Sequence, residues 1–245
     1  MNSIPINVSA EFYGSTVGKV NAQIMGSSCE AINSEMLDKY GTLDSAVFMG
    51  LGDGLLLERT GPRFAKVTVV EASDVLVENA RQRFAHLLGL QLINAYFEAF
   101  EVMSMEKVSC ILGNHILEHV NDPIEVLRKS RDWLLPEGIA IFTVPNATSL
   151  HRRIGFELGM LSDVAGPSEQ DKIIGHQRVY DMGRLRADIV KSGYTIATMG
   201  GFNLKLVSQA QMAGWSDSLH AAIYLVSREC PAELCLNLYV VRWSQ

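Results

Sequence analysis

Ser45-Ala-Val-Phe-Met-Gly-Leu-Gly-Asp-Gly54 decides the reading: a short apolar run breaks into three glycines at alternate positions, and a helical stretch follows. Glycine lets a backbone turn tightly and lets a ligand approach without meeting a Cβ atom. A second run, Lys66–Val70 (KVTVV), is rich in β-branched residues and ends at Glu71. That offset suits a carboxylate that accepts hydrogen bonds from two ribose hydroxyls. In open α/β sheets, ligands bind beyond the carboxyl ends of the strands, where both the glycine loop and Glu71 fall.

Further buried-strand candidates lie downstream at Val108–Leu112 and Ile139–Val144, with a weaker one at Gln91–Ile93. Helical segments separate them. Ser73 or Asp74 caps a helix expected to end near Gly89. Asp122-Pro123-Ile124-Glu125 combines a capping carboxylate with proline at the first helical position and glutamate at the third. This helix is expected to reach Leu135 and stop at Pro136-Glu137-Gly138. Strands alternating with helices give a mostly parallel sheet with right-handed crossovers. The last third departs from that rhythm. Residues 146–175 are glycine-punctuated, Asp181–Ser192 reads as a helix closed by Gly193, and Tyr194–Met199 and Leu236–Trp243 read as strands. A final strand reached through so long an excursion can enter antiparallel beside its predecessor.

The 245 residues suffice for one large domain, with 48% hydrophobic and 20% charged residues. A net charge of -6 argues against sequence-independent nucleic-acid binding, which needs a basic face. Met1–Ser15 has neither a cationic start nor a long apolar run, so no signal peptide is expected. No stretch has the roughly 18 apolar residues of a membrane span, and a cytoplasmic protein is expected. Cys29, Cys110, Cys230 and Cys235 show no CxxC pairing and read as reduced thiols, and no metal-ligand set is assigned.

The spacing of the loop narrows its ligand. A dinucleotide fingerprint, G-x-G-x-x-G, needs glycine where Leu55 stands, whereas G-x-G-x-G suits S-adenosylmethionine, which brings no pyrophosphate to the helix terminus. Over roughly residues 40 to 200 the chain resembles the class I S-adenosylmethionine-dependent methyltransferases, in their small-molecule branch. The pieces that carry the resemblance are VFMGLGDG (Val47–Gly54), VTVVEAS (Val67–Ser73), ILGNHILEHVNDP (Ile111–Pro123) and WLLPEGIAIFTVPN (Trp133–Asn146).

The resemblance implies an α/β fold: a Rossmann-like seven-stranded sheet of order 3-2-1-4-5-7-6, mostly parallel with an antiparallel C-terminal strand, flanked by helices. Residues 1–245 form a single domain, with an N-terminal helical cap at 1–40 and acceptor-site insertions at 147–180 and 203–235. The cofactor's methionine part lies against Gly50, Leu51, Gly52, Asp53 and Gly54. Its ribose meets Glu71, its adenine lies near Ala72, Phe97 and Glu98, and Asn114 and His115 face the methyl group. Tyr13 covers the methionine end. One position departs from the pattern: the acidic residue usual two places before the first glycine is replaced by Phe48, leaving Asp53 to take part of its work.

Methyl transfer asks the protein mainly to align an acceptor atom, and a base is needed only for hydroxyl, phenol or protonated amine acceptors. His176 is the first candidate base, with His115 and His151 beside it, while His119 in LEHV reads as mainly structural. Asn146, His151, Arg152, His176, Arg178 and Tyr180 are expected to line the acceptor pocket. Paired arginines there suit an anionic small molecule; the alternative is a solvated face, or pairing with Glu157 and Asp181. Phe48 favours a second reading, a catalytically weak or inactive cofactor-binding module. A nicotinamide-dependent oxidoreductase is a third. The sequence leaves monomer and homodimer open.

Overall fold

The computed structural model describes residues 16–100, 106–212 and 214–243. Tyr13, Met103 and Met105 lie outside the described residues, as does the first part of the expected N-terminal cap. Seven strands, β1 (Ser45–Met49), β2 (Lys66–Glu71), β3 (Leu90–Asn94), β4 (Val108–Asn114), β5 (Leu134–Pro145), β6 (Thr195–Phe202) and β7 (Asn237–Trp243), form one sheet. Its order is β3-β2-β1-β4-β5-β7-β6, as expected. Strands β1 to β5 pair in parallel, and β7 runs antiparallel to both β5 and β6.

Alternation along the strands builds two cores, because successive side chains leave opposite faces of a sheet. In β1, Val47 and Met49 enter one apolar layer and Ala46 and Phe48 the other. The first layer takes Val126 and Leu127 of α4 (Pro123–Asp132) and Leu185 and Ile189 of α7 (Met182–Lys191). The second takes Leu57 of α2 (Leu55–Thr60) and Ala80 of α3 (Asp74–Arg83). It also takes Ile32 and Met36, which continue α1 (Thr16–Glu30) through a π turn. No helix among the described residues is long and apolar enough to cross a membrane.

Two helix ends differ from expectation. The helix capped by Ser73, whose hydroxyl accepts the Leu76 N–H at 3.3 Å, ends at Arg83, and Gly89 serves the entry of β3 with φ +77°. The helix capped by Asp122 ends at Asp132 rather than Leu135. Proline cannot continue a helix, and Val108 N–H donates to the Trp133 carbonyl at 2.9 Å, drawing the chain into β5 already at Leu134. Pro136-Glu137-Gly138 is therefore a bulge inside the strand, where the register with β4 shifts. The segment after β5 holds α5 (Leu150–Glu157) and α6 (Glu169–Ile173), and α8 (Gln209–Met212) and α9 (Asp217–Ser227) lie between β6 and β7.

Candidate active site

All three loop glycines occupy the left-handed region, with φ of +77° at Gly50, +57° at Gly52 and +78° at Gly54. An added Cβ on Gly50 would lie 2.7 Å from Ile116 Cδ1 and 4.0 Å from Glu71 Oε2, so the cradle between β1 and Glu71 is one that only glycine leaves open. Glu71 Oε2 accepts the Leu51 N–H at 2.9 Å and Oε1 accepts the Ser73 N–H at 2.8 Å. Each oxygen keeps acceptor capacity, so the carboxylate is held rigidly at the strand end and can still receive two hydroxyls. Asn94 fixes the same corner by donating Nδ2 to the carbonyls of Glu71 and Ala72, both at 3.0 Å. These residues fit S-adenosylmethionine.

Phe48 does not face this loop. It is buried in the second core layer, edge to face with Phe64 at 6.2 Å between ring centroids. Asp53 Oδ1 accepts the Leu55 N–H at 2.9 Å, placing a carboxylate at the start of α2 where a dinucleotide would set its pyrophosphate. That placement opposes a nicotinamide ligand by like-charge repulsion. Phe97 packs against the first core layer, and the Glu98 carbonyl accepts the Lys129 ammonium.

At the end of β4, Asn114 Oδ1 accepts the Thr143 hydroxyl at 2.6 Å and His115 N–H donates to the Thr143 carbonyl at 3.0 Å. His115 has φ +57°, in the left-handed region that few residues other than glycine adopt. Its Nδ1 lies 3.3 Å from Glu118 Oε1. Glu118 is wholly buried, and neither of its oxygens has a hydrogen-bond partner among the described residues. Burial pushes its carboxyl up, but the approach of His115 and the charges of His119 and His176 bring it net below the ordinary range.

The segment expected to receive the acceptor is held by interactions across the fold. His176 Nδ1 lies 2.9 Å from Asp171 Oδ1, and its ring meets that of His119 edge to face at 4.7 Å. Asp171 also accepts from Arg152 Nη1 at 3.0 Å and from the Ser168 hydroxyl at 2.6 Å. Burial pushes this carboxyl up; the His176 and Ser168 hydrogen bonds outweigh it and hold the group well below the usual range. Arg152 is buried, with its other nitrogens donating to the carbonyls of Val164 and Gly166. Arg178 donates to the carbonyls of Leu117, Val120 and Asn121 and clamps the turn after β4. Both guanidinium groups are thus spent on the protein itself, and neither pairs with Glu157 or Asp181. Asn146 ties β5 to the carbonyls of Glu233 and Cys235 at 3.0 and 2.8 Å, and the Tyr180 hydroxyl donates to Asp188 at 3.1 Å.

His151 accepts or donates at Nδ1 with the Ser149 hydroxyl at 3.1 Å. Burial, together with the charges of Lys205 and Arg152, lowers its pKa to about 3, so its ring is neutral near pH 7. Lys205 has no hydrogen bond or ion pair among the described residues, and burial brings its ammonium down to about 8. Neither Lys205 nor Asp171 was singled out from the sequence, since a lone lysine or aspartate in an irregular segment carries no spacing signal. Glu118 stood inside the quoted LEHV block without a role.

A family model described as a methyltransferase domain matches residues 46–198, more than half of the chain. Among solved structures, an S-adenosylmethionine-dependent methyltransferase from Mesorhizobium loti superposes with a TM-score of 0.60 at 16% identity, covering 88% of this chain and 95% of that one. One from Thermotoga maritima gives 0.63 at 15% identity, covering 98% and 96%. The N-methyltransferase NodS from Bradyrhizobium japonicum, solved with S-adenosylhomocysteine, gives 0.51 at 13% identity, covering 84% and 80%. At these identities the likeness is one of fold. No curated protein matches the chain. The family match and the shared strand order identify the chain as a member of the class I S-adenosylmethionine-dependent methyltransferases.

Proposed function

We propose that the protein transfers the methyl group of S-adenosylmethionine to an oxygen or nitrogen atom of a small acceptor molecule. The observation that carries this reading is the Glu71 carboxylate, fixed by the Leu51 and Ser73 amides and set against the Gly50 cradle. Gly50 to Gly54 would hold the methionine part and Glu71 the ribose hydroxyls. Ala72, Phe97 and Glu98 would flank the adenine, and Asn114 and His115 the reacting end. The cofactor supplies an electrophilic methyl on a sulfonium centre.

The chain's own residues orient the acceptor and manage its proton. His176, aligned by Asp171, and the neutral His151 are the bases within the acceptor segment. Lys205, rather than Arg152 or Arg178, supplies the uncommitted positive charge that suits an anionic acceptor.

Thermal denaturation with S-adenosylhomocysteine tests the cofactor half. A ligand that binds only the folded state raises the midpoint by mass action, by about 2.7 kcal/mol at a hundred times its Kd. No shift at millimolar concentration sinks the reading. Incubation with isotopically labelled S-adenosylmethionine and pooled metabolites, followed by mass spectrometry, identifies whichever compound gains one methylene.

A further inference from the structure

Glu118, His119 and His176 bring one carboxylate and two imidazoles together, with ligand atoms all within 4.8 Å of one another. The sequence spacing His115-x-x-Glu118-His119 occurs in metal proteins on a helix. Here the segment is a hydrogen-bonded turn closed by His119 N–H to the Ile116 carbonyl. The turn carries Glu118 and His119 against His176 from the segment after α6, which Arg178 and Gln177 lash to the carbonyls of residues 117–121.

Three observations point to a missing partner at this place. Glu118 is wholly buried and makes no hydrogen bond among the described residues; the approach of His115 Nδ1 to Oε1 at 3.3 Å leaves Oε2 without a partner there, an arrangement a cation would complete. His176 Nε2 lies 4.0 Å from Glu118 Oε1, near enough to share a ligand but too far to satisfy it. On its other nitrogen His176 contacts Asp171, the carboxylate–histidine arrangement that orients metal-binding imidazoles.

We infer that Glu118, His119 and His176 bind a divalent first-row cation of the zinc, cobalt or manganese type, and that the methyl acceptor is a hydroxyl oxygen coordinated by it. Two imidazoles and one carboxylate suit such borderline ions and leave coordination positions open. Bonds of about 2.1 Å place ligand atoms roughly 3 to 3.5 Å apart, so the cluster closes by about one ångström on binding. The assignment of the acceptor rests on the methyl-transfer reading above; the metal site does not. With the cation bound, His176 is a ligand and no longer the base, and the coordinated hydroxyl would release its proton, at lowered pKa, to solvent water. Its oxygen pair then forms the O–CH3 bond as the CH3–S bond breaks and that pair returns to sulfur, giving a methyl ether and S-adenosylhomocysteine.

The test is titration of the full-length, EDTA-stripped protein with CoCl2, read by the visible d–d bands of bound Co2+, with ZnCl2 as competitor. The expected result is one equivalent bound, displaced by Zn2+, with affinity at least tenfold weaker in His119→Ala and His176→Ala. His119 sits on the solvent side of the turn, so His119→Ala tests the site without opening the core, and a retained S-adenosylhomocysteine midpoint shift certifies its fold. Asp171→Asn should weaken Co2+ about 10- to 100-fold through the imidazole it orients. Absence of d–d bands at tenfold excess Co2+, or bands unchanged in both histidine variants, overturns the site. An S-adenosylhomocysteine shift without Co2+ binding removes the metal site and leaves the cofactor reading standing. Co2+ binding without that shift supports the metal site and removes the cofactor reading.

Discussion

The two halves of the proposed site, one for the cofactor and one for the acceptor, are built in different ways. The cofactor half is backbone geometry: three glycines with positive φ, two strand ends and a carboxylate pinned by one amide of the loop and one just after its own strand. The acceptor half is side-chain carpentry across the chain, in which Arg152, Asp171, His176 and Arg178 hold the turn at residues 117–121 and the loop at 164–168. A half made of backbone tolerates little chemical variety and keeps one ligand. A half made of packed side chains can be rebuilt residue by residue, which is how one fold serves many acceptors.

If the halves are separable, the largest effect comes from breaking the acceptor scaffold alone. Arg152→Met leaves the buried Asp171 without its guanidinium and frees two carbonyls, and the expected loss is about 3 kcal/mol of stability. Chemical denaturation measures it, and the S-adenosylhomocysteine shift should survive. Loss of that shift in a folded variant would show that the halves are coupled. The reverse cut is Glu71→Ala. Hydrogen bonds to a charged group are worth about 1.5–3 kcal/mol, so calorimetry should find S-adenosylhomocysteine bound roughly 10- to 100-fold more weakly. Co2+ binding should be unmoved by it.

The same contrast explains what the sequence discloses. The strands themselves and the glycine–Glu71 pairing rest on short-range patterns, while the strand order comes with the family resemblance, and the structure has all three. The helix after Asp122 was read too long because periodicity continues through Trp133 and Leu134, while the tertiary pull of Val108 on Trp133 is invisible locally. From the sequence, Arg152 and Arg178 are candidate ligands, because arginine in a pocket segment has that chemistry, or surface and ion-pair partners. Their true partners are backbone carbonyls, which every residue carries and no sequence marks. Lys205 and Asp171 become visible only when residues some thirty positions apart meet around His151 and Arg152.

A pH titration sharpens the comparison, because the acceptor half holds the perturbed histidines. His151 has a folded pKa of about 3 against an ordinary 6.5, lowered by burial and by Lys205 and Arg152, with Asp171 opposing. The unfolded state binds the proton more readily, so this contribution is complete above about pH 6.5 and is lost as pH falls toward 3. At pH 5 the loss relative to pH 7 is about 2 kcal/mol for a 1.5-unit descent. His151→Gln should flatten the fall in melting temperature between pH 6.5 and 5 without abolishing it. An unchanged slope would place His151 in water rather than in a desolvated pocket.

Phe48→Leu probes the boundary between the halves with the smallest expected change. Phe48 stands where the family usually carries an acid, yet its ring lies in the core layer against Phe64, a layer on which Leu51 of the loop also packs. Leucine keeps an apolar side chain of somewhat smaller volume there, so stability should fall by about 1 kcal/mol. Calorimetry should give S-adenosylhomocysteine affinity within twofold of wild type, because leucine keeps the buried apolar packing and the Glu71 cradle is held by backbone amides. A larger fall in affinity at unchanged stability would mean that the ring positions the loop, and that β1 transmits core packing into the cofactor site. An unchanged affinity assigns the work of the absent acid to an acceptor already in the loop, the Asp53 carboxylate, whose Oδ1 accepts the Leu55 N–H.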